Sequence, residues 1–287
     1  MKRILLTATV QSHIALFYSH LALKLHENGF EVHAAASNDL ADKDGLELKS
    51  IDRVYDVCFA RAPSGADNIR AYRELRRIVS ENKYDIIHCN TPMGGFLTRL
   101  ASRKLRKDGA MIIYTAHGFH FFKGAPLLNW LLYYPIERWM ARYTDVLITI
   151  NKEDYAQARK FKAGKVSYIA GVGIDIDSID QTIIDREKKR EELDIPEDCI
   201  VLLSVGELNQ NKNHELAIRA LSMLQNKSVR YIICGRGSRE NYLKDLSSKR
   251  GVENQVHFID TDLVLLRSVR LQTFLFFRQR ERACQSR

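Results

Sequence analysis

Short apolar runs alternate with segments of helical periodicity along most of the chain. Residues 2–9 form a nearly continuous apolar run, which is typical of a strand buried on both faces of a parallel sheet. Residues 12–29 then carry apolar side chains at helical spacing and end at Gly29, a glycine stop. The same pattern predicts strands at 30–37, 84–90, 111–118, 145–151 and 165–175, and helices at 69–83, 94–107, 127–143 and 152–161.

A charged segment separates this alternation from a second one. Residues 176–198, which include the run REKKREEL, predict a linker helix with a solvated face. The alternation then resumes, with strands predicted at 199–206, 229–237 and 254–259 and helices predicted at 213–225 and 238–251.

The order of these elements predicts an α/β protein with two doubly wound parallel sheets. Strands that alternate with helices favour a parallel sheet covered by helices on both faces. We expect a first domain at 1–175 and a partial second domain at 199–259. The second sheet is expected to be incomplete, because three parallel strands leave an edge and much apolar helix surface uncovered.

Cysteine usage and apolar run lengths narrow the class of protein. The five cysteines lie far apart without a CxxC pair, which favours a reducing compartment and argues against a disulfide or zinc framework. The apolar run after Lys2 and Arg3 is too short for a secretory signal. No stretch approaches the roughly 18 apolar residues that a membrane span needs. We therefore expect a cytoplasmic protein.

The net charge of +9 raises the question of an anionic partner. Nucleic acid is not expected, because the sequence has no RNA-binding signature, zinc finger or long basic run. The segment 127–143 combines aromatic side chains such as Trp130 with Arg138 and Arg142. A helix with such a face can lie on an anionic bilayer, and burial of the rings against the sheet is the alternative.

Ligands of open α/β sheets bind beyond the carboxyl ends of the strands, so the residues at these positions are the candidates for a site. His13 follows the first strand, where no GxGxxG dinucleotide fingerprint occurs. It is either a contact for a polar ligand group or a polar residue at a helix entry. Asn90 and Thr91 begin a glycine-containing, flexible loop that opens a helix, which is either an anion site or a plain cap.

Two histidines and a glycine follow the strand that ends near residue 116. His117, Gly118 and His120 stand among three phenylalanines, a combination that suggests the wall of a site. Histidine can donate to a substrate hydroxyl or phosphate near neutral pH, although a core histidine is the alternative. No carboxylate or cysteine stands at ligand spacing, so no metal is expected.

Glycine turns also follow two strands of the second domain. Gly206 and Glu207 precede Lys212 at a predicted helix start, where backbone N–H groups and a lysine can cradle a diphosphate. The segment is not a Walker A loop, because GxxxxGK[ST] is not matched. Gly235 and Gly237 form a second turn that suits either a nucleotide pressed against the backbone or a simple tight turn.

Three segments together carry a family likeness. YTAHGFHFF at 114–122, GVGID at 171–175 and SVGELNQNKN at 204–213 resemble the family-4 glycosyltransferases of the GT-B fold. The likeness is greatest to the bacterial enzymes that build capsule and exopolysaccharide, and it extends from residue 1 to about residue 259.

The resemblance implies an enzyme with two Rossmann-like domains and a cleft between them. The first domain would bind the acceptor, often a lipid-linked saccharide at the inner face of the cell membrane, where the protein would be peripheral. The second domain would bind the nucleotide-sugar donor. Transfer in this family retains anomeric configuration and needs no metal or other cofactor.

The resemblance also assigns roles to individual residues. His117 would be the catalytic histidine near the donor sugar, and Lys212 would neutralise the leaving diphosphate. The remaining assignments are Gly206 and Glu207 for the diphosphate, Gly235 and Gly237 for the nucleotide, and His13, Asn90, Thr91, Gly118 and His120 for the acceptor.

The chain departs from the family pattern at three places. Glu207 stands where the family usually has arginine, and no paired glycines follow the first strand, so His13 is a candidate to take over an acceptor contact. The paired glutamates of the family, Glu-x7-Glu, are absent after Ile259.

The segment 260–287 differs from the rest of the chain, because the apolar run FLFF leads into a stretch dense in arginine. Reading the coding DNA one base earlier is compatible with DLFVFPSTREGLPV, which resembles the family at the first of its glutamates. We therefore expect a frameshift between about Ile259 and Ser268, with 260–287 out of frame and activity impaired. A native arginine-rich tail is the alternative.

The sequence thus predicts a glycosyltransferase of surface polysaccharide biosynthesis that moves a sugar from a nucleotide to a glycan acceptor. Two alternatives stay open. One is a GT-B nucleotide-sugar epimerase, and the other is a non-catalytic remnant that binds lipid or a partner.

Overall fold

The computed structural model describes residues 1–43, 46–60, 65–171, 186–259 and 273–275. The chain divides into two compact units, which span 1–173 and 174–287. Each unit has a parallel sheet and a buried core of its own, as the two alternations in the sequence predict. Residues 172–185, and most of the segment 260–287 assigned to another reading frame, lie outside the described residues.

The first unit is built on a seven-stranded sheet in the order β3-β2-β1-β4-β5-β6-β7, with every neighbouring pair parallel. The strand order reverses between β1 and β4, so the switch point of the sheet lies between them. The strands are β1 (Lys2–Val10), β2 (Phe30–Ser37), β3 (Arg53–Asp56), β4 (Ile86–Asn90), β5 (Met111–Ala116), β6 (Val146–Thr149) and β7 (Lys165–Tyr168).

Helices cover both faces of this sheet. Leu5 of β1 packs with Leu75 and Leu97 in one core, whereas the adjacent Ile4 and Leu6 pack with Ile14 in another. The helices are α1 (Gln11–Phe17), α2 (Ser19–Glu27), α3 (Asp67–Asn82), α4 (Pro92–Ala101), α5 (Arg103–Lys107), α6 (Leu127–Met140) and α7 (Lys152–Ala158). Among the described residues, no helix is both long and apolar enough to cross a membrane.

Two details of the first unit differ from the sequence prediction. The helix expected at 12–29 is divided at Tyr18, whose φ of −124° and ψ of 0° turn the chain between α1 and α2. The strand β3 was not predicted, because it is only four residues long and shows no apolar alternation. Three of its four residues are exposed.

The loop expected at 90–95 is not flexible, because α4 begins at Pro92 and includes both glycines. A Cβ on Gly94 would lie 3.0 Å from the backbone carbon of Ala8, and a Cβ on Gly95 would enter the ring of Tyr114. These glycines therefore allow α4 to pack closely on the sheet rather than giving the segment mobility.

The second unit has a four-stranded parallel sheet in the order β10-β9-β8-β11 over the described residues. Its strands are β8 (Ile200–Val205), β9 (Val229–Cys234), β10 (Val256–Ile259) and β11 (Thr273–Leu275), and its helices are α8 (Arg186–Glu192), α9 (His214–Leu224) and α10 (Glu240–Lys249). In α8 the predicted solvated face is interrupted by Arg190, which is buried and donates to the carbonyl of Cys199 at 2.8 Å.

The fourth strand corrects the expectation of three. Thr273–Leu275 pairs with β8 in parallel register, inside the segment that the sequence analysis assigned to another reading frame. A short strand can extend a free sheet edge whatever its origin, because the pairing uses backbone groups. The reading-frame hypothesis therefore stays a prediction.

Candidate active site

Three of the predicted site residues of the first unit meet at the switch point of its sheet. His13 lies in the first turn of α1, directly after β1, and Asn90 is the last residue of β4. His117 follows the end of β5, the strand beside β4. Because parallel strands end at the same edge of a sheet, these side chains converge although 104 positions separate His13 from His117.

The contacts in this group centre on the imidazole of His117. Its Nε2 atom lies 3.2 Å from Nε2 of His13, and the two rings meet edge to face with centroids 4.5 Å apart. The same Nε2 atom lies 3.1 Å from the hydroxyl of Tyr18. Tyr18 reaches this position because the chain turns there, between α1 and α2.

The proton positions follow from the partners of Asn90. Its amide NH₂ donates to the carbonyl of Thr7 at 3.3 Å, so its oxygen faces Tyr18 and accepts the tyrosine hydroxyl hydrogen. Since that hydroxyl has one hydrogen, the contact between Tyr18 and His117 requires His117 to donate from Nε2. The Nδ1 atom of neutral His117 then carries a lone pair.

Burial keeps the group uncharged at neutral pH. It lowers the pKa of His13 to about 4, with a further contribution from His117, and it also lowers the pKa of His117. Burial raises the pKa of Tyr18 above its ordinary value. The site therefore offers neutral hydrogen-bonding groups rather than a fixed charge, which suits the recognition of hydroxyl groups.

His88 extends the group into the core. This residue of β4 is buried, contacts the Tyr18 ring edge to face at 5.2 Å and lies 2.8 Å through Nε2 from the hydroxyl of Thr115. Burial lowers its pKa to about 4. His88 and Tyr18 were not predicted as site residues, although a histidine inside an otherwise apolar strand was a signal that could have indicated His88.

Carboxylates from α7 hold the loop that carries His117. Gly118 has a φ of +122°, a conformation that favours glycine. The next residue, Phe119, donates its backbone N–H to the buried carboxylate of Asp154 at 3.0 Å, and Lys123 donates its own to Glu153 at 2.6 Å. The position of His117 thus depends on a loop anchored at two backbone amides.

Thr91 and His120 do not join the group around His117. Thr91 precedes α4 with a φ of +62°, and its hydroxyl accepts the backbone N–H of Thr9 at 3.0 Å, so it links two strand ends. His120 is exposed and stacks on the ring of Tyr133 at 4.6 Å. It lines a separate cavity of about 220 Å³, together with Gly118. Their assignment to the acceptor stays a prediction.

The amino terminus of α1 is already occupied by a side chain. Ser12 donates its backbone N–H to the carboxylate of Asp39 at 2.8 Å and its hydroxyl to the same group at 2.5 Å. A carboxylate at this position stabilises the positive end of the helix dipole and accepts from the helix start. The first turn of α1 then contributes His13 to the group at the strand ends.

In the second unit, the two predicted glycine turns pack against each other. The N–H of Gly206 donates to the carbonyl of Cys234 at 2.9 Å, and that of Leu208 donates to the carbonyl of Arg236 at 3.0 Å. A Cβ on Gly237 would lie 2.5 Å from the carbonyl oxygen of Leu208, and one on Gly235 would strike the carbonyl of Gly206. Gly235 and Gly237 therefore allow their own turn to pack closely against the neighbouring turn, which contains Gly206 and Leu208.

Lys212 lies over the first of these turns. Its Cε atom is 3.4 Å from the point where a Cβ of Gly206 would stand, and its backbone N–H donates to the side chain of Asn209 at 3.0 Å. The amide of Asn209 in turn donates to the exposed carboxylate of Glu207 at 2.9 Å. One lysine and one glutamate thus flank a strand-end turn, with α9 beginning two residues after the lysine.

A buried polar group supports the start of α9. His214 is the first residue of the helix, and its Nδ1 atom lies 3.4 Å from the hydroxyl of Tyr231, which donates to Ser204 at 2.9 Å. Burial is the main cause that lowers the pKa of His214. Among the described residues, no three His, Cys, Asp or Glu side chains come together as metal ligands.

Family comparisons match both units. The model of Glycosyltransferase Family 4 matches residues 15–177, and the model of Glycosyl transferases group 1 matches residues 185–262. The first match covers the residues around Tyr18, Asn90 and His117, and the second covers both glycine turns and Lys212.

Individual relatives carry glycosyltransferase names. EpsD of Bacillus subtilis (strain 168), provisionally named a glycosyltransferase, is 38% identical over 262 residues, which are 90% of this chain and 67% of EpsD. An Escherichia coli protein named UDP-Gal:alpha-D-GlcNAc-diphosphoundecaprenol alpha-1,3-galactosyltransferase is 27% identical over 195 residues, which are 63% of this chain and 50% of that protein.

The fold also matches solved structures. The crystal structure of Anabaena Alr3699/HepE in complex with UDP and glucose superposes with a TM-score of 0.74 at 19% identity, over 97% of this chain and 74% of HepE. The two-unit α/β fold of this chain is therefore that of GT-B glycosyltransferases. The chain spans about half to two thirds of the two relatives named above.

Proposed function

This chain belongs to glycosyltransferase family 4, and on that premise we propose that it transfers a sugar from a nucleotide-sugar donor to a lipid-linked glycan acceptor. The observation that carries the proposal is the position of the polar groups, which in both units follow the carboxyl ends of parallel strands. Asn90, His117 and Lys212 lie inside the two segments that the family models match.

The second unit is the proposed donor site. The turn after β8 presents Lys212 beside the backbone of Gly206, and a lysine at this position supplies the charge that a diphosphate leaving group needs. Support for a nucleotide donor comes from HepE, whose structure holds UDP and glucose. Glu207 opposes binding of an anion in the same turn, so Lys212 has to supply most of the attraction.

The first unit is the proposed acceptor site. His117 is proposed to contact the sugar that is transferred from the donor. Neutral His117, which donates from Nε2 to Tyr18, has its Nδ1 lone pair available to accept a hydroxyl hydrogen of the substrate. A lipid-linked acceptor is supported by the name of the Escherichia coli relative, which contains a diphosphoundecaprenol. Transfer is proposed to retain configuration, to proceed without a metal and to serve surface polysaccharide assembly at the inner face of the membrane.

The test is a transfer assay with separate readouts for binding and chemistry. The chain is incubated with UDP-glucose, UDP-galactose or UDP-N-acetylglucosamine and a saccharide on a prenyl diphosphate, with and without EDTA. We expect UDP binding in a calorimeter, and extension of the acceptor at a low rate that EDTA leaves unchanged, since the reading-frame hypothesis predicts impaired activity. Conversion of the donor sugar without any acceptor would identify an epimerase, and the absence of both UDP binding and transfer would contradict the proposal.

A further inference from the structure

The outer face of α6 is apolar, which is unusual for a surface helix. Six large apolar side chains are between 40% and 74% exposed, and we call this set the leucine face: Leu127, Leu128, Leu131, Leu132, Ile136 and Trp139. Arg138 is the only charged residue that α6 exposes beside them. The aromatic residues Trp130, Tyr133 and Tyr134 instead pack into the core, so the leucines and not the inner rings face outward.

A basic surface adjoins the leucine face. The basic groove lies between α3 and α5 and is defined by Arg73, Arg76, Arg77, Arg103, Lys104 and Lys107. It consists of two depressions of about 570 and 360 Å³ that share Arg76 and Lys104. Asp108 is the acidic residue in its lining, and within the described residues no ion pair engages the six cations.

Tyr143 connects the two surfaces. Its ring meets Trp139 of the leucine face edge to face at 5.6 Å and lies 5.5 Å from the guanidinium of Arg103. Tyr143 also lines the basic groove. An apolar strip about 20 Å long, the length of a 14-residue helix, therefore continues into a cluster of cations.

We propose that the leucine face and the basic groove together dock the first unit on an anionic phospholipid bilayer. Leucine side chains enter the boundary between headgroups and acyl chains, where a tryptophan ring is also favoured, while lysine and arginine bind lipid phosphates. This inference rests on the proposed function, because it assigns the surface through which the enzyme would reach a lipid-linked acceptor.

Charge favours the bilayer over a second copy of the chain. A two-fold dimer through the leucine face would bring two basic grooves close together, and their like charges would repel. An anionic membrane instead complements the groove and covers the apolar face at the same time.

A cavity beside the leucine face leads toward the proposed acceptor residues. Ile136 belongs to the leucine face and also lines the cavity of about 220 Å³ whose wall includes Gly118, His120 and Tyr133. Because a dry cavity of 150 Å³ holds one benzene molecule, this one has room for roughly nine carbon atoms of a prenyl chain. Docking at α6 would therefore place lipid next to the residues after β5.

The test is co-sedimentation of the full chain with vesicles of equal parts phosphatidylglycerol and phosphatidylcholine, compared with pure phosphatidylcholine. We expect the chain to bind to the anionic vesicles. The triple variant Arg76→Gln, Lys104→Gln, Lys107→Gln should lower the partition coefficient by roughly fivefold for each cation that it removes. Leu128→Ser with Leu132→Ser should reduce partitioning by about tenfold or more. Lipids brominated on the acyl chain should quench Trp139.

Matched controls replace exposed apolar and basic side chains on the second unit. Met223→Ser with Leu224→Ser removes exposed apolar side chains, and Lys227→Gln, Lys249→Gln, Arg250→Gln removes exposed cations, and both variants should bind vesicles like the original chain. Circular dichroism checks that each variant folds.

The proposal is overturned if anionic vesicles do not bind the chain, or if the α6 and groove variants bind as well as the controls. A dimer in sedimentation equilibrium that Leu128→Ser with Leu132→Ser converts to monomer, without vesicle binding, would assign the face to a second copy. UDP binding is measured on the same samples: if it persists without vesicle binding, only this inference fails, and if it is absent while vesicles bind, the proposed function fails.

Discussion

The hydroxyl of Tyr18 links Asn90 to His117, because it donates to the amide oxygen of the one and accepts from Nε2 of the other. Removing this hydroxyl should loosen His117 without removing it. Tyr18→Phe leaves the buried oxygen of Asn90 unpaired, which costs about 1–3 kcal/mol of the free energy of unfolding. We expect transfer to fall by roughly tenfold to a hundredfold, mainly in kcat, measured as initial rates with saturating donor.

Tyr55→Phe is the matched control for this substitution. Tyr55 lies in the same unit and donates to the amide oxygen of Asn82 at 3.2 Å, away from His117. It should lose some stability but keep its rate. Equal rate losses in the two variants would mean that the effect of Tyr18 is on folding alone.

Stability should depend on pH through His88, which is buried, and His13, which is half-buried. The pKa of His88 and that of His13 are about 4 in the folded chain, whereas an unfolded histidine titrates near 6.5. Because the lowered pKa values favour the neutral form in the folded state, the stabilisation is complete above about pH 6.5. It is lost progressively between pH 6.5 and 4, by up to about 3 kcal/mol for each histidine.

Urea denaturation at several pH values measures this slope. His88→Gln should flatten it, since glutamine does not titrate, whereas His20→Gln, at an exposed position, should leave it unchanged. A slope that His88→Gln does not alter would show that other groups carry the pH dependence.

The charges beside the first glycine turn should act on nucleotide affinity in opposite directions. Lys212→Met removes the proposed partner of the diphosphate and should weaken UDP binding by about tenfold to a hundredfold, as for other charge-assisted contacts. Glu207→Gln removes a like charge and should strengthen binding by a smaller factor. Isothermal calorimetry measures both, with Lys244→Met on α10 as the control for a lysine paired elsewhere.

The order of these affinities is the decisive result. If Lys212→Met binds UDP as tightly as the unmodified chain, the turn after β8 is not the diphosphate site. The salt dependence of binding gives a second check, because fewer charge contacts make the affinity less sensitive to ionic strength.

Gly95 should resist a substitution that usually stabilises helices. Alanine in place of a helical glycine gains about 1 kcal/mol in helix propensity. Here the added methyl group would enter the ring of Tyr114, which is buried under Arg99, and overpacking of this kind costs roughly 1–3 kcal/mol. We therefore expect Gly95→Ala to lower the urea midpoint, whereas Ser80→Ala on the exposed side of α3 should not.

Much of the fold was predictable because periodicity reports which faces of an element are buried. The strand at 30–37 and the start of α6 at residue 127 agree with their predictions, since apolar runs and helical spacing depend on local sequence. The break at Tyr18 was not predictable from spacing, because the apolar positions of α1 and α2 continue through it. The strand β11 was missed because it is three residues long and lies in a segment that shows no alternation of strands and helices.

The site could be predicted only in part, for a similar reason. Position after a strand identified His13, Asn90 and His117, because the switch-point rule depends on strand order alone. His120 does not join these three residues, because its side chain stacks on Tyr133. The direction of that side chain does not follow from its position in the sequence. Tyr18 enters the group from a helix junction, which the rule does not consider.

The outward leucines of α6 also bear on how the protein behaves at the bench. In detergent-free buffer this apolar area faces water, so the leucine face should lower the solubility of the first unit beyond what its overall composition indicates. We expect the protein to be retained on an apolar chromatography resin, and a mild detergent below its own micelle concentration to release it. A serine pair at positions 128 and 132 would then be the version to take into crystallisation.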